Sequence, residues 1–107
     1  MFGDVRSANA VRSGLEYRAG DPVSVRVVRR ERRVTVDDEG GAVDRASRPP
    51  GWRTVATRIS RELDVNVSRT GVISLPVVDA GPGLTAVVRR IGEASLAFYQ
   101  ELLELEE

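Results

Sequence analysis

Val23-Ser24-Val25-Arg26-Val27 and, beyond the polar break Arg29 to Arg33, Val34-Thr35-Val36-Asp37-Asp38-Glu39-Gly40 are the stretches that decide the fold. Valines at every second position put one face of an extended chain into a core and leave Ser24 and Arg26 on the other. Two such runs on either side of a short break predict an antiparallel hairpin with one buried face. The break holds neither Gly nor Asn, so its turn type stays open. The second strand ends at Asp37-Asp38-Glu39-Gly40-Gly41, because Asp and Gly accept the conformations that a tight turn needs. On the face opposite the valines Arg26, Arg30 and Arg33 gather, with Thr35 beyond them.

Upstream of this hairpin the first dozen residues are expected to form a short helix, with Val5, Ala8 and Val11 roughly on one side. Leu15-Glu16-Tyr17-Arg18 is expected as a short strand before the turn Ala19-Gly20-Asp21-Pro22. Downstream, a polar segment runs to Pro49-Pro50-Gly51. Trp52, Val55, Ala56, Ile59 and Leu63 then fall on one stripe of a helix from about Trp52 to Leu63, and Pro at its entrance suits a helix start. Val65 to Ser68 and Val72 to Val78 predict a second hairpin through Arg69-Thr70-Gly71, with Pro76 marking an edge or an end because it lacks a backbone donor. A last helix from Pro82 or Gly83 to Leu105 would be roughly 35 Å long. Its stripe Leu84, Val88, Ile91, Ser95, Phe98, Leu102 and Leu105 is joined by a second line, Gly92, Leu96, Tyr99 and Leu103. One sheet covers one stripe; the second calls for the other helix or for a partner. The fold class is thus α+β: a small antiparallel sheet of two hairpins, two helices packed on one face, and a long C-terminal helix. It is expected as a single domain over residues 1–107, with 1–19 a poorly defined N-terminal segment.

A chain of 107 residues fits one domain, and 41% hydrophobic with 30% charged residues argues against wholesale disorder. There is no cysteine, hence neither a disulfide framework nor thiol chemistry. The start has no apolar run of the signal-peptide kind, and no stretch approaches the ~20 apolar residues of a membrane helix. The expectation is a cytoplasmic protein that does not engage the membrane. The formal net charge of zero is arranged in blocks: +4 from Met1 to Val36, −4 from Asp37 to Asp44, +5 from Arg45 to Arg90 and −5 from Ile91 to Glu107. Such blocks ordinarily satisfy one another or water. All 16 basic residues are Arg, which GC-rich coding explains without invoking function.

The absences carry most of the functional information. Without His or Cys the usual zinc sites, Cys–His and Ser–His–Asp systems and histidine bases are excluded. Without Lys so are phosphate-loop ATPases, kinase phosphate handling and Schiff bases. No catalytic residue, cofactor or metal site is therefore expected. Asp37, Asp38 and Glu39, with Asp44 as a further candidate, offer oxygens suited to a hard cation, but not at EF-hand spacing, and an acidic Gly turn between elements is commonplace. Asp79-Ala80-Gly81-Pro82-Gly83 precedes a helix N-terminus that can attract anions, yet Asp79 equally caps that helix.

The order of these signals resembles a small bacterial family known as domain of unknown function 1828. The resemblance is carried by the valine hairpin ending in the D-D-x-G turn, here Asp37-Asp38-Glu39-Gly40. It continues through a helix, a short strand pair with the step Asn66 to Gly71-Val72-Ile73, and a terminal helix. It covers about Gly20 to Leu105, implies an α+β fold in bacteria or their mobile elements, and supplies no activity and no catalytic residues.

Two binding readings follow. The first is a non-enzymatic protein–protein interaction or accessory module. It would associate with a second copy or another protein through Leu96, Tyr99 and Leu103 of the terminal helix. The alternative is a nucleic-acid-binding domain that uses the Arg-rich hairpin 26–33, with Arg26, Arg30 and Arg33 on phosphates. Against the alternative stand Glu31 within the cluster, the neutral overall charge and the lack of interleaved aromatics.

Overall fold

The alternating valines form the centre of an antiparallel sheet. A computed structural model describes residues 6–31, 33–77 and 82–105. Its elements in chain order are β1 (Arg6–Arg18), β2 (Asp21–Arg30), β3 (Arg33–Asp37), α1 (Gly41–Ala46), α2 (Trp52–Leu63), β4 (Asn66–Val67), β5 (Ile73–Val77) and α3 (Pro82–Leu105). The five strands lie in the order β1-β2-β3-β5-β4, every neighbour antiparallel. The α+β class, the two hairpins and the long C-terminal helix are as the sequence implies.

The length of β1 is the main departure: the strand expected at Leu15–Arg18 begins already at Arg6 and is the edge of the sheet. From Arg6 onward the chain expected to be helical is strand, paired with β2 from Arg6↔Arg30 to Arg12↔Ser24; Met1 to Val5 lie outside the described residues. Three apolar residues at helical spacing were too little to hold a helix, whereas β2 offers a full ladder of backbone partners to an adjacent strand. The register shifts between Arg12 and Glu16, where Gly14 sits at φ 88°, a bulge that bends the strand. The second departure is α1, a short helix in the segment read as polar. Gly40 opens it at φ 73° and its Ala42, Val43 and Ala46 are buried.

Side chains of β2 and β3 alternate as the pattern requires. Val23, Val25, Val27 and Val36 are buried together with Ile73 of β5, Ile59 of α2, and Ile91, Phe98 and Leu102 of α3. The helices occupy this one face of the sheet. β4 pairs only with Ile73 and Ser74, so among the described residues the outer side of β5 has no strand beside Pro76 and the missing donor costs little. Arg90 donates to the carbonyls of Leu63 and Asp64, closing the C-terminal end of α2 against α3.

Candidate functional site

Three surfaces were singled out by residue type, and the fold treats them differently. The terminal-helix flank is largely occupied within the chain. Tyr99 is 5% exposed and meets Tyr17 of β1 edge to face, ring centres 5.2 Å apart. Leu96 and Leu103 are half-buried and packed against the core. Gly92, on the same line, lies so close to β1 that an added Cβ would be 2.5 Å from the Cβ of Ser13. The second stripe therefore has a cover in the chain itself: the C-terminal half of β1, whose Leu15–Arg18 strand the sequence reading expected without placing it against α3, together with α1, which it did not supply.

The acidic turn is turned inward. Asp38 is 2% exposed; its Oδ1 accepts from the backbone N–H of Gly40 and of Ile73, both at 2.9 Å, and its Oδ2 accepts from the hydroxyl of Ser95 at 2.7 Å. The single proton of Ser95 is thereby used, so Tyr17 Oη donates to Ser95 Oγ at 2.7 Å. Burial pushes the Asp38 carboxyl above its ordinary range, against the lowering effect of these hydrogen bonds. Burial likewise pushes the Tyr17 phenol up to about 12. The guanidinium of Arg45, which pairs with Asp21, lies 4.4 Å from the Tyr17 ring centre. Asp37 accepts from Arg26 (Nη2 at 3.0 Å) and from the backbone N–H of Glu39. Among the described residues no three His, Cys, Asp or Glu side chains converge on a point where a cation would sit. The arrangement fastens turn, strand β5, α3 and β1 to one another. Sequence reasoning missed Ser95 and Tyr17 as its members; the signal was a serine inside an otherwise apolar helical stripe.

The third surface is the sheet face without helices. The pairings Arg12↔Ser24, Ala10↔Arg26↔Asp37 and Arg30↔Arg33 put Arg12, Arg26, Arg30 and Arg33 on it together with Val28 and Thr35. Arg26, Val28, Arg30, Arg33, Thr35 and Asp37 line a shallow depression of about 260 Å³. Within it Arg26 is bound to Asp37, and that hydrogen bond holds its pKa up. Arg30 and Arg33 are exposed and directly opposite across the ladder, and among the described residues neither has a carboxylate partner. Like charges facing each other in a strand pair destabilise it. The turn between them starts at Glu31, whose φ of 46° is the left-handed conformation of primed hairpin turns, adopted here without Gly or Asn. Thus Arg26, Arg30 and Arg33 do share a face, but only two of the three carry an uncompensated charge.

Residues 78–81 lie outside the described residues, and with them the anion-binding or capping reading of Asp79. Among the described residues no helix is long and apolar enough to cross a membrane. Comparison with known protein families, with curated proteins and with solved structures finds no match to this chain. The resemblance to the domain family rests on its short motifs, and these have packing roles here. Asp38 is the buried anchor just described. Gly71 stands at φ 96°, where an added Cβ would be 2.6 Å from Val43 Cγ1.

Proposed function

We propose that the chain is a non-enzymatic binding module that grips the phosphate backbone of nucleic acid with the helix-free face of its sheet. The observation that carries this reading is the Arg30–Arg33 cross-strand pair, exposed and without a facing carboxylate among the described residues. A phosphate seated over it replaces a repulsion with charge-assisted, bidentate contacts of the kind guanidinium favours. Arg12 extends the positive face along β1. The hairpin is flanked by β1 and β5, so the whole face, rather than a free two-stranded ribbon, meets the backbone. Such contacts position without reading bases, and the binding is sequence-tolerant. The absence of His, Cys and Lys leaves only carboxylates, hydroxyls and Arg for any catalytic role, and the buried carboxylates among the described residues are engaged, Asp38 in its network and Asp37 with Arg26 and the Glu39 N–H.

Fluorescence anisotropy with a labelled DNA duplex at low salt tests the reading. Binding should weaken linearly in log–log salt plots, and Arg30→Glu with Arg33→Glu should abolish it while the far-ultraviolet circular dichroism stays unchanged. Affinity unaffected by the double reversal, or no binding at low salt, overturns it.

A further inference from the structure

We infer a second ligand site, in the groove between α2 and the β4–β5 turn, built for a single-stranded nucleic-acid segment with one base on Trp52 and its phosphates on Arg53, Arg61 and Arg69. The groove holds about 390 Å³, within the range of ligand pockets. Trp52, Arg53 and Arg61 come from α2, Ser68 and Arg69 from the turn, and Val67 from β4. No carboxylate lines it, and among the described residues none of its three arginines is in an ion pair. The neighbouring Arg58, by contrast, is neutralised by Glu101.

Two features select the ligand class. Arg53 and Arg61 are eight residues apart on α2, an axial rise of about 12 Å. The two cations thus lie along the length of the groove, which suits an extended ligand. At the Arg53 end stands the chain's one tryptophan, half-buried, with the guanidinium carbons of Arg53 and Arg48 at 5.4 and 5.8 Å from its ring centre. An indole ring and guanidinium planes beside a cationic groove are the parts from which single-strand sites are made, because every base has a face to stack. A duplex keeps its bases stacked inside and gives Trp52 nothing to hold. Val67 lies on the core side of its pairing with Ile73, so this groove is on the helix-bearing side of the sheet, apart from Arg30 and Arg33. The inference does not depend on the reading of the helix-free face.

Because Trp52 is the sole tryptophan, its emission reports on this groove alone. The full chain is titrated with oligothymidylate of about ten nucleotides, within single-strand site sizes, and in separate arms with thymidine monophosphate and inorganic phosphate. The expected result is saturable quenching by the oligomer at low salt, with at least about ten-fold weaker binding of the mononucleotide. Trp52→Ala, followed by anisotropy of a labelled oligomer, should weaken binding about ten-fold. Arg61→Glu with Arg69→Glu, both exposed and so harmless to the fold, should remove the quenching while duplex binding persists. The inference fails if the oligomer leaves the emission unchanged or if the double reversal leaves the quenching intact. It fails equally if the mononucleotide binds as tightly as the strand. Arg30→Glu with Arg33→Glu should leave the quenching untouched, which separates a failure here from a failure of the sheet-face reading.

Discussion

Replacing Asp38 distinguishes a carboxylate kept for its oxygens from one kept for its charge. Asp38→Ala would strip the acceptor from two backbone N–H groups and from the Ser95 hydroxyl, all buried. Each orphaned group costs about 1–3 kcal/mol, and removal of a poorly solvated carboxylate offsets part of that. The net expectation is a loss of about 3–4 kcal/mol, a large share of a small domain's stability. Asp38→Asn keeps Oδ1 for both N–H groups and offers an N–H to Ser95 Oγ, whose hydroxyl can turn towards Tyr17. The change at neutral pH should stay below about 1 kcal/mol in either direction. The two variants also differ in pH dependence. The folded-state pKa of Asp38 is raised, chiefly by burial, so its contribution is fully present below the unfolded value of about 3.9 and is lost as pH rises through the folded value. Asp21 acts in the opposite sense, its pKa lowered by the hydrogen bond from Arg45, so the difference between parent and Asn variant is the quantity to follow. Urea unfolding of the three proteins from weakly acid to neutral pH measures it. The parent should gain on the Asn variant as the solution is acidified, with m unchanged. If Asp38→Asn is as damaging as Asp38→Ala at every pH, the charge is what the fold needs and this reasoning is wrong.

Other perturbations follow from the same packing. The Tyr17 phenol is raised from 10.0 to about 12, so its contribution is present below pH 10 and lost between 10 and 12; Tyr17→Phe should flatten stability across that alkaline window, read by thermal melts. Gly92→Ala improves helix propensity by about 1 kcal/mol but drives a methyl into the Cβ of Ser13. Overpacking at that backbone-proximal contact should win, giving a net loss of about 1–2 kcal/mol in urea unfolding. Leu96→Glu and Leu103→Glu should each lower stability by about 1–2 kcal/mol, because both side chains pack on the core; unchanged melting with a change only in mass by light scattering would restore this flank as an interface.

What the sequence made legible were the elements whose pattern is local. The Val23–Val27 and Val34–Val36 alternation, the Trp52–Leu63 stripe and the Pro82–Leu105 repeat all lie where their periodicities put them. What it hid was set by distant partners. The Arg6–Arg12 part of β1 has no strong alternation of its own and is strand because β2 holds it in register. α1 has only six residues, too few to show a stripe. The apparent surplus of apolar surface on α3 arose because α1 was missed and because the expected Leu15–Arg18 strand was not placed against α3, where its Tyr17 packs on Tyr99. At the acidic turn the residue types were visible, but not that Asp38 points inward to Ser95, 57 residues away. The arginines were placed on one face correctly by period two, while the loss of Arg26 to Asp37 depends on the cross-strand register.

Backbone amide shifts in a nuclear magnetic resonance titration with a DNA duplex at low salt bear most directly on the central claim. The account predicts perturbations concentrated at Val28, Arg30, Arg33 and Thr35 that vanish as salt is raised. Perturbations confined to α3 around Leu96 and Leu103, or none at all, would contradict it.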